Sequence, residues 1–432
     1  MIWNESIECM SRAELRKIQD IRLKRMVDYV YHNTPFYRKK MQELDITPDD
    51  IQGIDDIVKL PFTTKLDLRD NYPFGLCAVP TSMIARFHAS SGTTGKPTVV
   101  GYTRKDIFSW TECLSRAFTA YGADGTDSFQ ISYGYGLFTG GLGAHYGAEN
   151  IGASVIPTSS GNTDKQITIM HDFGSTVLCC TPSYALYLAD AVKDSDLPRE
   201  EFKLKIGILG AEPWSEGMRK DIEQKLGIKA YDIYGLSEVA GPGVAYECQC
   251  QNGSHINEDH FFPEIIDPVT LQPVAHGEIG ELVFTHLTKE GMPLLRYRTK
   301  DLTSLHYETC ECGRTLVRMS RIMGRSDDML IIRGVNVFPT QIESVILELE
   351  EFEPHYLLII DRVNNTDTME LRVEVKSDCY SDEINKMILL RNKLKARLHS
   401  VLGLGVDVKI VEPRSIERST GKAKRIIDNR KL

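Results

Sequence analysis

Between Ser90 and Pro97 the chain reads Ser90-Ser91-Gly92-Thr93-Thr94-Gly95-Lys96-Pro97. Hydroxyl-bearing residues and glycines let backbone N–H groups and side-chain hydroxyls converge on phosphate oxygens. Lys96 adds a cation. The same run also suits a solvated turn, because Ser, Thr and Gly crowd into loops. It is not the phosphate loop of the nucleoside triphosphatases. That motif needs four residues between its glycines and Ser or Thr after the lysine, whereas two residues separate Gly92 from Gly95 and Pro97 follows Lys96. Proline also lacks an N–H to offer.

A second group is sulfur-rich. Cys248-Gln249-Cys250 is followed by His255 and, much later, by Cys310-Glu311-Cys312-Gly313-Arg314. Thiolates and an imidazole at this density suit tetrahedral Zn2+. Free thiols and a disulfide are the alternatives, the latter disfavoured in a reducing compartment. Five side chains compete for four positions, with Cys248 and Cys250 as rivals. Cys9, Cys77, Cys113, Cys179, Cys180 and Cys379 lack metal spacing and read as small apolar fillers.

Other candidates are single charged groups. Glu238 offers a hard oxygen suited to Mg2+, or is a plain capping acid. Asp301 can accept two hydrogen bonds from a diol, or is a turn residue. Arg325 carries a planar fork for sugar or phosphate, or makes a surface ion pair. Lys422, with Lys424 and Arg425, is either a functional ammonium or part of a solvated basic tail. The segment 133–144 mixes Tyr and Phe with Gly, which gives flat apolar walls and close backbone approach. A core strand plus turn is the alternative there.

Elements must position these groups. Ile7, Met10, Ile18, Ile21, Met26 and Val30 predict an amphipathic helix over 6–31. Asn33-Thr34-Pro35 stops it, since the residue before proline disfavours helix. Short apolar runs predict strands over 129–132, 154–156, 176–179, 206–209 and 229–233, with helices over 181–193 and 216–226. That alternation predicts an α/β layer with a mostly parallel sheet. Runs over 280–285, 294–297, 302–306 and 329–333 predict a β-rich, barrel-like subdomain. The remainder predicts a small α+β domain: helices over 341–350 and 386–401, strands over 355–361, 370–375 and 406–411.

The chain has 432 residues, which at ~100–200 residues per domain suggests two or three. It is 42% hydrophobic and 26% charged, the balance of a globular protein rather than a disordered or coiled-coil one. Its net charge of −9 argues against binding nucleic acid or an anionic membrane surface. The first residues lack the pattern of a secretory signal, and no stretch of ~18 apolar residues occurs, so a cytoplasmic location is expected.

Taken in order, these motifs resemble the adenylate-forming enzymes: acyl-CoA synthetases, adenylation domains and luciferases. Ser90–Lys96 is similar to their ATP loop. Gly210-Ala211-Glu212-Pro213 is similar to the adenine-contacting turn, and Tyr234-Gly235-Leu236-Ser237-Glu238 to the motif whose Glu holds Mg2+. Tyr297-Arg298-Thr299-Lys300-Asp301 is similar to the ribose-binding motif. Gly324-Arg325-Ser326-Asp327-Asp328 is similar to the hinge before a mobile C-terminal domain, and Ser419-Thr420-Gly421-Lys422 to the segment with the catalytic lysine. Thr420 departs from the usual Ser, or Glu. Closer still is the phenylacetate–CoA ligase branch, which is similar at Tyr133-Gly134-Tyr135-Gly136-Leu137-Phe138-Thr139-Gly140-Gly141, at His260-Phe261, from Asp327 to Pro339, and at Pro354-His355-Tyr356.

The resemblance implies a large adenylation domain over 1–325 and a small mobile domain over 326–432. It implies catalytic roles for Lys422 and Glu238 and a hinge at Asp327. Nucleotide contacts are implied for Ser90, Ser91, Gly92, Thr93, Thr94, Gly95, Lys96, Gly210, Ala211, Glu212, Asp232, Tyr234, Gly235, Ser237, Asp301 and Arg325. Tyr133, Phe138 and Ala211 are expected to line an aryl pocket. In zinc-bearing relatives of the branch the first cysteine follows a Gly-Val-x-x-Glu segment, here 243–247. This implies structural Zn2+ on Cys248, His255, Cys310 and Cys312, with Cys250 as the alternative to Cys248. The implied activity joins an aryl acid, foremost phenylacetate, to coenzyme A with ATP and Mg2+, through an acyl-adenylate. Another aryl acid, a carrier protein as acceptor, or a non-catalytic nucleotide-binding module are alternatives. Partners are small molecules, and a homodimer is left open.

Overall fold

The computed structural model describes residues 1–90, 97–327, 330–333, 335–363, 366–380, 383–418 and 425–430. Ser91, Gly92, Thr93, Thr94, Gly95, Lys96 and Lys422 therefore lie outside the described residues. The chain divides into two compact units. One comprises Met1–Cys180, Leu197–Ala211 and Lys229–Ile322; the other comprises Thr181–Asp196, Glu212–Ile228 and Met323–Leu432.

The first unit is organised by a long sheet. Val177–Cys180 and Ile206–Gly210 are apolar and buried along their whole length, as parallel strands covered on both faces must be. Ser154–Ile156, Ser128–Ile131, Val177–Cys180, Ile206–Gly210 and Lys229–Leu236 lie side by side in parallel. The direction then reverses. Gly241–Tyr246 folds back antiparallel on Lys229–Leu236, and Ser254–Ile256, Arg318–Met319 and Leu305–His306 continue outward. The tight return requires Gly235: a Cβ there would lie 1.7 Å from the Gly241 carbonyl oxygen.

The helix Arg104–Tyr121 starts at a Thr103–Asp106 capping box and packs on the helix Thr139–Asn150. Gly147 permits this contact, since a Cβ on it would meet Leu114 at 2.5 Å. The alternative of a core strand plus turn over 133–144 does not hold: from Thr139 onward the segment is helix, and a Cβ on Gly143 would meet Trp110 of the neighbouring helix at 2.4 Å. A second antiparallel ladder joins Phe261–Ile266, Gly280–His286 and Tyr297–Thr303. The strand expected over 294–297 begins only at Tyr297, because Arg296 turns the backbone at φ 42°. The run 302–306 splits between two sheets at Ser304.

The N-terminal helix expected over 6–31 is two helices, Glu5–Glu8 and Arg12–Asn33, with Ser11 and Glu14 forming a capping box between them. Its buried stripe is Leu15, Gln19, Leu23, Met26, Val27 and Val30, while Ile21 faces outward. Pro35 ends it and opens the next helix, Pro35–Glu43, at its first position.

In the second unit, the sheet order is Asp407–Val411, Thr366–Val375, Phe352–Val363, Ile426–Asp428. The central pair is antiparallel and the outer pairs are parallel. The two central strands run longer than expected because they form one extended hairpin. Helices Pro339–Leu347 and Ile384–Leu402 contribute Ile342, Val345, Ile346, Leu394 and Leu398 to a core with Leu358, Ile360, Leu371 and Val373. Helices Pro182–Asp194 and Glu216–Leu226 belong to this unit and are linked by Lys225 to Asp190. Among the described residues no helix is long and apolar enough to cross a membrane.

Candidate active site

Glu238 lies in the return between Lys229–Leu236 and Gly241–Tyr246, at the carboxyl end of a parallel strand where α/β sheets bind ligands. It is buried, and two groups reach the same oxygen. Ser90 Oγ donates to Glu238 Oε1 at 3.2 Å, and Lys65 Nζ stands 3.4 Å from it. The Lys65 side chain is 41% exposed, so this ion pair opens toward solvent. A buried carboxylate with an adjacent exposed ammonium and a hydroxyl fits a site for a phosphate-bound cation: the carboxylate supplies a hard oxygen for Mg2+, and the ammonium can answer phosphate charge.

The turn is fixed from below. Ser237 Oγ shares a hydrogen bond with Thr139 Oγ1 at 3.1 Å, and Tyr102 OH donates to the Ser237 carbonyl at 3.3 Å. The Val239 carbonyl accepts from His286 Nε2 at 2.8 Å and from Lys289 Nζ at 2.7 Å. Nearby, Tyr234 OH donates to Asp301 Oδ2 at 2.6 Å, which joins the motif that carries Glu238 to the expected ribose motif. Ala211 ends its strand in the left-handed region at φ 71°. Gly210 is closed in by the Ile233 carbonyl oxygen, 2.2 Å from where a Cβ would stand. The backbone N–H of Asp232 donates to Glu247 at 2.7 Å.

Tyr133 is buried, with its hydroxyl donating to the Ile208 carbonyl at 3.4 Å. Phe138 is exposed and precedes the helix Thr139–Asn150. These two expected pocket residues thus differ sharply in surroundings. In the second unit, Glu212 accepts from the Ser183 N–H at 2.6 Å. Arg325 makes a two-pronged ion pair with Asp327, both contacts at 2.9 Å.

The sulfur-rich group converges. Ligand atoms of Cys248, His255, Cys310 and Cys312 all lie within 4.8 Å of one another, while Cys250 is exposed and outside the cluster. Cys248 and Cys310 sulfurs are 3.7 Å apart, and Cys312 Sγ is 3.5 Å from His255 Nε2. A tetrahedron of ~2.3 Å Zn–S and ~2.0 Å Zn–N bonds has edges of about 3.8 and 3.5 Å, so the donor set fits Zn2+. His255 Nδ1 donates to the Leu316 carbonyl at 3.4 Å, leaving Nε2 as the donor atom toward the sulfurs. The hydrogen bond from the Cys248 thiol holds Cys312 well below the ordinary thiol range and raises Cys248. Gly313, at φ 90°, lets its N–H reach the Cys310 carbonyl at 2.9 Å and closes the knuckle. Behind it, buried Arg314 donates to Glu8 at 2.5 Å, and Tyr246 OH donates to the same carboxylate at 3.0 Å.

Lys65, Tyr102, His286 and Lys289 are absent from the sequence-based expectations. The one available signal was Thr64-Lys65-Leu66-Asp67, a capping pattern that starts a helix at Lys65 and so fixes where the lysine stands.

A profile described as AMP-binding enzyme matches residues 52–287, and one described as AMP-binding enzyme C-terminal domain matches residues 334–430. A phenylacetate-coenzyme A ligase of Thermus thermophilus is 48% identical over 445 aligned positions, covering 100% of both chains. One from Aromatoleum evansii is 50% identical, covering 99% of this chain and 97% of that one. Among solved structures, 2-hydroxyisobutyryl-CoA ligase in complex with 2-HIB-AMP matches with a TM-score of 0.93 at 29% identity, covering 98% of this chain and 92% of the other.

Proposed function

This chain belongs to the AMP-binding enzyme family, and we propose that it is an ATP-dependent ligase joining phenylacetate to coenzyme A through an acyl-adenylate. The observation that carries this reading is the convergence of Glu238, Ser90 and Lys65 in a chain that matches phenylacetate-coenzyme A ligases from end to end. In the first half-reaction an oxygen of the acid's carboxylate bonds to the α-phosphorus of ATP, and the bond to the leaving pyrophosphate breaks. Anion attacks anion, so the charge must be neutralised. Glu238 would hold Mg2+, which when bound neutralises phosphate oxygens. Lys65 lowers the remaining repulsion, and Ser90 with the loop 91–96 orients the phosphates. Asp301 receives the ribose hydroxyls, with Tyr234 holding its carboxylate. The turn at Gly210, Ala211 and Glu212, together with Asp232, Gly235 and Ser237, completes the nucleotide contacts.

In the second half-reaction the coenzyme A sulfur bonds to the acyl carbon, its proton is released, and the acyl–oxygen bond to AMP breaks. Residues 1–325 act as the adenylation domain and 326–432 as a small domain. Lys422 bridges carboxylate and phosphate during adenylation. Turning about Asp327 then withdraws Lys422 and admits the thiol, so one site runs two reactions. Arg325 contributes a phosphate or sugar contact from the hinge. Tyr133, Phe138 and Ala211 face the aryl group. Cys248, His255, Cys310 and Cys312 would hold a structural Zn2+.

The test is a panel of acids including phenylacetate, its ring-substituted analogues, benzoate and 2-hydroxyisobutyrate, with AMP release measured in the presence of coenzyme A. Phenylacetate should give the highest kcat/KM. A preference for an aliphatic acid would overturn the substrate, and AMP release without thioester would overturn coenzyme A as the acceptor.

A further inference from the structure

Lys289 is buried on the underside of the Glu238 turn. Among the described residues it makes no ion pair, and the carboxylates that act on it at longer range are Asp106 and Glu238. Its ammonium stands 4.2 Å from the ring centroid of Tyr102 and donates to the Val239 carbonyl at 2.7 Å. That carbonyl does not need a cation. The Leu294 N–H donates to His286 Nδ1 at 2.7 Å, so the imidazole carries its proton on Nε2, which donates to the same oxygen at 2.8 Å. A neutral donor already satisfies it.

A buried ammonium without a contacting carboxylate lowers stability, and burial accordingly pulls Lys289 down to about 8. An apolar side chain of the same length would fill the space at less cost. What the charge provides is directed upward. The carbonyls on either side of Glu238 are pinned, Ser237 by Tyr102 and Val239 by Lys289. Tyr102 is in turn stacked on Trp110, whose Nε1 donates to the Pro242 carbonyl at 2.8 Å. The whole return is thereby held on one aromatic and cationic floor.

We propose that Lys289 is a positioning residue for adenylation: it fixes the 237–239 turn so that Glu238 faces the metal and the phosphates, and it lends that turn positive potential. The proposal rests on Glu238 being the metal-side carboxylate. Interactions that are preorganised and dry act most strongly where charge develops, and this one lies beneath the place where the triphosphate binds under that reading.

The experiment uses the full chain with Lys289→Met and Lys289→Gln, the second keeping a neutral donor on a side chain one atom shorter. Acid-dependent ATP–pyrophosphate exchange, thioester formation from synthetic acyl-adenylate, and Tm are measured for each. Both variants should lose roughly 10–100-fold in exchange through kcat/KM for MgATP, with KM for the acid unchanged. Thioester formation should stay within about twofold of wild type, and the Tm of Lys289→Met should equal or exceed wild type. Wild-type exchange in either variant overturns the proposal. So does an equal fall in both half-reactions, or failure of both variants to fold, since each marks a merely structural lysine. Glu238→Gln separates the parent reading: if exchange survives that change, Glu238 is not the metal carboxylate. If exchange collapses there while the Lys289 variants stay normal, only the Lys289 proposal fails.

Discussion

The Cys248 cluster and the Glu238 turn stand at opposite ends of one strand. Gly241–Tyr246 begins beside Glu238 and ends just before Cys248, a span of about 20 Å at ~3.3 Å per residue. Both ends gather buried polar groups, yet they differ in what is left over. At the cysteine end four soft donors face one another within 4.8 Å, and the set is closed upon itself. With Zn2+ bound, as proposed, a closed four-donor set would have no open position for a reactant and would serve structure. At the other end one carboxylate oxygen meets a hydroxyl and a half-exposed ammonium, which leaves charge facing solvent where a phosphate and its cation can join. Burial with self-satisfaction marks a clasp; burial with an outward remainder marks a site.

Breaking the clasp should have the largest effect. Cys312→Ser removes one of four donors and should cost about 4 kcal/mol or more of stability, the range of a lost metal site. The loss should register as a lower Tm and as release of about one zinc per chain on elemental analysis. The folded fraction should keep its adenylation rate, because Glu238 lies a strand away. Immediate loss of activity on adding a mild chelator, with the fold intact, would make the metal catalytic and erase the distinction. A metal-free, folded and active preparation would reduce the cluster to buried thiols. Opening the site should do the reverse. Lys65→Ala should slow adenylation by roughly 10–100-fold while shifting stability by only ~0–1 kcal/mol, as partly exposed ion pairs do. An unchanged exchange rate would show that the Lys65–Glu238 pair is a surface contact and nothing more.

How much of this was readable beforehand depended on the kind of signal. Val177–Cys180 and Ile206–Gly210 were readable because strands buried on both faces are uniformly apolar. Glu238 and Asp301 were singled out by motif order, and Tyr234, from the same motif as Glu238, donates to Asp301 at 2.6 Å. The helix Arg104–Tyr121 is not among the helices expected from the sequence; its buried face carries Asp106, Ser115, Arg116 and Thr119 beside its apolar residues. Arg116 can be buried there because Asp259 pairs with it at 2.8 Å, a partner far along the chain. The N-terminal stripe was misplaced: exposed Ile21 keeps the helical spacing, while buried Gln19 breaks it by donating to the Glu258 carbonyl at 3.2 Å. Lys289 and His286 were unreadable, since nothing local tells a buried lysine from a solvated one. Only the strand return that presents the Val239 carbonyl gives them a task.

The smallest expected effect is also the sharpest test of where the clasp begins. Cys248 and Cys250 are two positions apart, and sequence alone left them as rivals. After Tyr246 the strand ends, and the chain turns with Gln251 donating its N–H to the Cys248 carbonyl at 3.0 Å. The turn leaves Cys248 buried against Cys310, 3.7 Å away, and leaves Cys250 exposed. An exposed thiol outside the cluster contributes neither a bond to the metal nor packing. Cys250→Ser should therefore leave zinc content at the wild-type value and change stability by no more than ~0.5 kcal/mol, the range of surface substitutions. Cys248→Ser, measured beside it, should behave like Cys312→Ser. If Cys250→Ser instead released the metal, the fourth ligand would have to come from the turn rather than the strand end. The cluster would then be a rearranging site, not a preformed one, and its contrast with the Glu238 turn would no longer hold.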